Sequence, residues 1–293
     1  VSTTNRTALS RWTLAAASAV AGLTVAALLI QQLERTRAER AYLERGSGAL
    51  PRELLRIATL PPALRESSGI AASRTQAGVL WSHNDSGDNP TIYAVDLSGR
   101  LLAIVDVVRA TARDWEDIAL GPCPPGFATD GDNEPRPRPC LYAADIGDNS
   151  ASRDALTVYV IAEPRLASRD GGRISTTARH FRYRYPVGPQ DSEALAVGPD
   201  GDVLIVTKGR SGPIGFFGIS ADRVSQALRS GEILVAERLG PPGLTPVRGI
   251  GRLVTGAAIS PDGATLAVRT YHEVFFYRRA DKPVGRRWQL AGR

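Results

Sequence analysis

The sequence predicts an all-β chain: a β-propeller of four or five four-stranded blades, preceded by one N-terminal transmembrane helix. Three observations predict it. Four first-strand stretches align without gaps, and each is followed by a turn or loop and a second strand. Apolar runs of strand length alternate with Gly, Pro, Asp and Ser clusters over most of the chain. An uncharged stretch, Trp12 to Ile30, is long enough as a helix to span roughly 30 Å of hydrocarbon.

The boundaries follow from these patterns. Residues 1–11 form a short tail, 12–33 a transmembrane signal anchor, 34–50 a helical stalk and linker, and 51–293 the propeller domain. Arg6 and Arg11 precede the apolar stretch as in a signal peptide or anchor. It ends in Ala-Leu-Leu-Ile-Gln-Gln-Leu33, too bulky for a usual cleavage site, which favours an uncleaved anchor. Val at position 1 in a chain without Met suggests a non-ATG start or a trimmed first residue. Arg35, Arg37, Arg40 and Arg45 follow the stretch, and that count alone favours the opposite topology. A long following domain translocates largely regardless of flanking charge, and the cysteine pair favours an oxidising compartment. The propeller is therefore expected outside the cytoplasm, on a single-pass anchor in the cell membrane. Gln31 to Arg45 reads as a solvated helical stalk that Gly46-Ser-Gly48 breaks.

The repeat is visible by direct alignment. Ser68-Gly-Ile-Ala-Ala-Ser73, Glu116-Asp-Ile-Ala-Leu-Gly121, Glu193-Ala-Leu-Ala-Val-Gly198 and Thr255-Gly-Ala-Ala-Ile-Ser260 are the first strands. Pro199-Asp-Gly201 and Pro261-Asp-Gly263 supply turn chemistry, with Pro fixing φ and Gly allowing it to be positive. Second strands follow at 79–84, 140–145, 203–208 and 265–270, then two further runs per unit. Four strands per repeat is a propeller blade pattern. A β-sandwich is the alternative, but it does not require the same pair four times.

Two columns of this alignment are polar where their neighbours are apolar. Ser68, Glu116, Glu193 and Thr255 start the first strands; Asn84, Asp145, Lys208 and Thr270 end the second. Carboxylates are rarely buried unless paired or metal-bound, so these columns place the candidate site at a channel mouth. The loops Asn84-Asp-Ser-Gly-Asp-Asn89 and Asp145-Ile-Gly-Asp-Asn149 carry closely spaced oxygen donors, the kind hard cations take in sets of six to eight. An Asx-rich hairpin turn explains the same residues without a ligand. Strand alternation puts Asp114 and Glu116 on one face and Trp115 on the other. A metal, an ion pair with Arg113 or Lys208, or a general-acid role each fits that carboxylate pair. Candidate metal ligands are thus Asp85, Asp88, Glu116, Asp145, Asp148, Asn149 and Glu193; candidate ligand-binding residues are Asn84, Asp114, Lys208 and Arg269. Ca²⁺ is the candidate cofactor, and no catalytic residue is assigned.

Other chemistry is disfavoured. His83, His180 and His272 have no zinc-site spacing. His83 adjoins the Asn84 loop, where a general base would fit, though a satisfied strand histidine explains it better. Ser67 and Ser68 lack a nucleophile elbow. The net charge of +6 forms no basic stripe with aromatics, which argues against nucleic acid as a partner. Cys123 and Cys140 bracket a Pro-rich insertion and read as a disulfide, contributing about 3 kcal/mol for a loop of this size; two free thiols, which go with a cytoplasmic domain, are the alternative.

His83-Asn-Asp-Ser-Gly-Asp88, Asp114-Trp-Glu-Asp-Ile-Ala119, Asp145-Ile-Gly-Asp-Asn149, Asp191-Ser-Glu-Ala-Leu195 and Val254-Thr-Gly-Ala-Ala-Ile-Ser-Pro-Asp-Gly263 together resemble a group of uncharacterised bacterial secreted propellers, over about Leu60 to Tyr277. More distantly, the paired strands are similar to β-propeller phytases and to SdiA-regulated and phytase-esterase-like propellers. That resemblance implies acids at a channel mouth holding calcium. It implies no activity, because propellers host unrelated functions. The group usually continues into a further blade after Arg269-Thr-Tyr271, which leaves closure of this propeller open.

The expected protein is a membrane-anchored, extracytoplasmic propeller that binds a divalent cation and a small or peptidic ligand at an acidic channel mouth. The alternatives are a metal-dependent hydrolase of phosphoesterase or lactonase type, and a purely structural or protein-interaction propeller.

Overall fold

The computed structural model describes residues 56–127, 139–210, 212–240, 253–279 and 288–292. The chain divides into residues 1–56 and 57–293, and everything below concerns the second unit. The tail, anchor and stalk assigned to residues 1–50 lie outside the described residues. Among the described residues no helix is long and apolar enough to cross a membrane.

Four sheets make a four-bladed β-propeller. Blade 1 is β1 (Ser67–Ala72), β2 (Leu80–Asn84), β3 (Thr91–Val95) and β4 (Leu101–Val108). Blade 2 is β5 (Trp115–Pro122), β6 (Pro139–Asp145), β7 (Leu156–Ala162) and β9 (Arg179–Arg184). Blade 3 is β10 (Ser192–Val197), β11 (Val203–Thr207), β12 (Phe216–Ile219) and β14 (Glu237–Gly240); blade 4 is β15 (Val254–Ile259), β16 (Thr265–Thr270), β17 (Val274–Arg279) and β18 (Trp288–Gly292). Neighbours within each blade are antiparallel. The inner strands gather round the axis: β5 packs against β1 and β10, and β10 against β15.

Two strands depart from the expected four per blade. β8 (Gly172–Thr177) lies in sequence between β7 and β9 yet pairs parallel with β4 of blade 1. β13 (Ile233–Val235) precedes β14 yet pairs parallel with β9 of blade 2. Each therefore ties a blade to the one before it. The sequence run Ile233 to Arg238 is split between blades in this way. A helix, α1 (Ala221–Ser230), precedes β13. Asp222 in its first turn and Arg229 in its last complement the helix dipole. Gly231, at φ 74°, ends it by donating its N–H to Ala227 O.

Side-chain alternation builds the seams between blades. In β6, Leu141 and Ala143 face blade 1, among Trp81, Trp115, Ile118 and Tyr159. Cys140, Tyr142 and Ala144 face blade 3, among Phe181, Leu195, Ile205 and Phe217. Blade 2 is thus buried on both faces, which is why β6 reads as a continuous apolar run. The third seam packs Leu204 and Phe216 against Leu266, Phe275 and Tyr277. Trp81 and Trp115 are fully buried; losing either ring costs about 3–5 kcal/mol. Cys123 and Cys140 form the expected disulfide, closing the far ends of β5 and β6.

Candidate functional site

One irregularity is common to all four inner strands. Each carries a β-bulge near its start, where pairing slips by one residue. The slip falls between Ser67 and Ile70, Trp115 and Asp117, Ser192 and Ala194, and Val254 and Gly256. The extra residues include Glu116, Glu193 and Thr255, and in blade 1 the slip spans Ser68 and Gly69. These are the polar column found in the sequence. A bulge frees a residue from the ladder and re-aims its side chain, and here it does so four times at one mouth of the channel.

The bulge also decides the fate of the next residue in blade 2. Asp117 is buried, and its Oδ2 accepts N–H groups from Leu195 of blade 3 (2.9 Å) and Ala257 of blade 4 (3.4 Å). A Cβ on Gly69 of blade 1 would lie 2.7 Å from Asp117 Oδ1. One carboxylate therefore meets all the other blades at the axis. Burial pushes its pKa up to about 7, against the pull of the Leu195, Ile118 and Ala257 N–H groups and of Arg269. Strict alternation would have turned Asp117 away with Trp115, so the sequence reading missed it.

Nearer the mouth, Asp85, Asp114 and Glu116 converge, with one carboxylate oxygen from each within 4.8 Å of the others. Asp85 follows β2, held by its N–H to Glu66 O at 2.9 Å. Asp114 immediately precedes β5, and its carbonyl accepts the N–H of Gly147 at 3.2 Å. Glu116 is buried, whereas Asp85 and Asp114 are half-buried. Gly147 lies so close that a Cβ there would sit 2.3 Å from Asp114 Oδ2 and 2.4 Å from Glu116 Oε1. Burial first, then the charges of Asp85 and Asp114, push Glu116 up to about 8; Lys208 opposes the rise. Burial, then Asp85 and Asp191, also raise Asp114.

Asp191 is the acid the sequence columns passed over. It stands two residues before Glu193, as Asp114 does before Glu116, and that offset was its signal. It is 1% exposed. Its Oδ1 accepts the N–H of Asp148 (2.9 Å), while its Oδ2 has no hydrogen bond. Lys208 Nζ (3.9 Å) and Arg210 Nε (3.6 Å) are the cations beside that oxygen.

The remaining predicted residues fall into separate arrangements. Glu193 is ion-paired with buried Lys208, whose pKa is lowered by burial against the pull of Asp191 and Glu116. Asp145 is ion-paired with Arg153 at 2.8 Å. Asp148 accepts the N–H groups of Ser152 (2.9 Å) and Arg153 (2.8 Å) and so shapes its own turn; Asn149 is exposed there. Asp88 accepts Asn84 Nδ2 (2.5 Å), the Tyr93 hydroxyl (3.4 Å) and the Asn89 N–H (2.8 Å), so its oxygens are taken up within this loop and its flanking strands. Asn84 is spent on this loop, donating also to Ala63 O. Arg269 is exposed and donates to Thr255 Oγ1 (3.0 Å) and O (2.8 Å) within blade 4. His83 donates from Nδ1 to Asn84 O (2.8 Å), stacks edge-on with Trp115, and is held neutral chiefly by burial.

The donor set at the centre is three carboxylates without sulfur or imidazole, which suits a hard cation. Oxygens sharing one Ca²⁺ at about 2.3–2.6 Å lie no more than about 5 Å apart. Asp85, Asp114 and Glu116 meet that spacing as they stand. A divalent charge would also remove the mutual repulsion that raises Glu116.

No protein-family model and no curated protein matches the chain. Among solved structures, the chain is similar to Kluyvelomyces marxianus Hsv2, at 13% identity and TM-score 0.35, covering 76% of this chain and 59% of that one. It is similar to the Nup170 N-terminal domain of Chaetomium thermophilum in complex with Nup53, at 11% and 0.37, covering 75% and 27%. It is also similar to the periplasmic gluconolactonase PpgL of Pseudomonas aeruginosa, at 16% and 0.37, covering 77% and 56%. The chain thus spans well under two thirds of the length of each. Likeness at this level transfers no site, and the propeller rests on the strand pairing of the four sheets.

Proposed function

We propose that this chain is a divalent-cation-binding propeller, with Ca²⁺ at the mouth of its channel and a small or peptidic ligand held there through the cation. The observation that carries the proposal is the convergence of Asp85, Asp114 and Glu116, with Glu116 raised to about 8 by burial and by its two neighbours. Three carboxylates brought together in a partly desolvated mouth repel one another, and a bound cation reverses the sign of that interaction. Buried Asp191, although ion-paired with Lys208 and Arg210, adds a further negative charge whose field reaches both Asp114 and Glu116.

The placement of this domain outside the cytoplasm, on a membrane anchor over residues 12–33, is part of the same proposal. Its support is the length of the uncharged stretch and the Cys123–Cys140 disulfide, a bond that persists in oxidising compartments.

Thermal unfolding of the oxidised protein in Ca²⁺, Mg²⁺ or Mn²⁺ tests the reading. A cation at 100 times its Kd stabilises by about 2.7 kcal/mol, which for a domain of this size raises Tm by about 5–10 °C. Glu116→Gln removes that rise. An unchanged Tm in all three cations would sink the proposal. Phosphatase and lactonase assays on wild-type and Glu116→Gln protein then separate binding from turnover. Cation-dependent hydrolysis lost in Glu116→Gln would make the site an enzyme's, where a bound cation lowers the pKa of its water.

A further inference from the structure

The cation site is braced from behind by a residue that no motif marks. Arg153, buried at 9% exposure, lies in the turn after β6. Its Nη1 donates both to Asp145 Oδ1 and to Gly147 O, each at 2.8 Å. Asp145 in turn accepts two backbone N–H groups from the segment that carries the site: Asp114 at 3.2 Å on Oδ1 and Arg113 at 3.4 Å on Oδ2. Gly147, the second group Arg153 holds, donates its own N–H to Asp114 O and backs directly onto the Asp114 and Glu116 carboxylates. One guanidinium thus fixes Asp114 from two sides, through its amide and through its carbonyl.

The turn is anchored at its other end as well. The Asp148 N–H donates to Asp191 Oδ1, and the Asp148 carboxylate accepts the Arg153 N–H. The loop from Asp145 to Arg153 is therefore tied to β5 on one side and to the start of β10 on the other. This gives Asp145 and Asp148, both among the expected metal ligands, a different employment: their oxygens are committed to holding the loop.

We propose that Arg153 is the positioning residue of the cation site, setting Asp114 and Gly147 through Asp145 so that the three carboxylates meet at one point. The inference rests on the cation-binding reading above. Such an outer partner of a metal site typically governs affinity by about 10–100-fold.

The test uses the full, oxidised chain and Tb³⁺ alone as the probe, its luminescence sensitised by Trp115. Arg153→Met is expected to weaken Tb³⁺ binding by about 10–100-fold. It should also raise the number of bound waters, read from lifetimes in H₂O and D₂O. Without any cation, it should speed amide exchange at Asp114 and Gly147. Arg153→Lys should recover part of the affinity, because an ammonium reaches Asp145 without the planar fork. If Arg153→Met alone does not fold, Arg153→Met with Asp145→Leu removes both buried charges; it should fold and still bind weakly. A wild-type site that Glu116→Gln abolishes, together with unchanged Kd and waters in the Arg153 variants, overturns this inference alone. A wild-type protein with no saturable Tb³⁺ site overturns the cation reading and this inference with it.

Discussion

Replacing Gly147 by alanine puts a methyl carbon where the structure has room only for a hydrogen. The ideal Cβ falls 2.3 Å from Asp114 Oδ2 and 2.4 Å from Glu116 Oε1. Carbon–oxygen contacts settle near 3.3–3.6 Å, so each carboxylate must retreat by about 1 Å, or the loop must. Metal geometry tolerates about 0.2 Å, so the retreat exceeds what a shared ion allows. The same substitution deletes no donor atom, and Gly147 is not among the positive-φ glycines, so backbone strain is not the cause. Stability should change little by comparison. Lower unfolded-state entropy contributes about 0.4–1 kcal/mol in favour, and overpacking costs about 1–3 kcal/mol, leaving a net loss of about 0–2.6 kcal/mol. The assay is calcium titration by calorimetry beside urea denaturation of the cation-free protein. At least tenfold weaker binding is expected, with a small loss of stability. Wild-type affinity in Gly147→Ala would refute the claim that Asp114 and Glu116 bind as they stand.

Two further outcomes follow from the same geometry. The folded pKa of Glu116 (about 8) and of Asp117 (about 7) lies above the ordinary value of each carboxyl. Their stabilising contribution is therefore full below the unfolded pKa and lost as pH rises through 7 to 8. Cation-free protein should lose stability between pH 5 and 8.5, Asp117→Asn should flatten that decline, and a flat wild-type profile would contradict the burial argument. Reducing Cys123–Cys140 should cost about 3 kcal/mol in urea denaturation without changing cation affinity, since the bond closes the far end of blade 2; a loss of binding on reduction would show that the insertion shapes the mouth.

Much of the fold was written in periodicity. The four inner strands were found as aligned sequences because each must repeat the same bulge, inner-strand packing and turn. Pro199-Asp-Gly201 and Pro261-Asp-Gly263 behave as read, with Gly201 at φ 82° and Gly263 at φ 71°. What periodicity could not show is which sheet a strand joins. β8 and β13 look like any other short strand, and their parallel pairing with a preceding blade is set by contacts far away in sequence. The helix over Ala221–Ser230 was hidden between two strand-like runs, although Gly231 marked its end. At the site, the columns containing Glu116 and Asp145 were legible as polar breaks in apolar strands. Their division of labour was not: Asp145 has a buried arginine eight residues on, and Arg153 carries no motif. Asp117 gave no signal, because strict alternation puts it on the Trp115 face and only the bulge between the two cancels that alternation.

Asp85, Asp114 and Glu116 are expected to hold one cation together. Anomalous diffraction from crystals soaked in Mn²⁺ or Tb³⁺ tests it most directly. One strong peak is expected at coordination distance from all three carboxylates, absent in Glu116→Gln. A peak confined to Asp88 or Asp148, or none at the channel mouth, would contradict it.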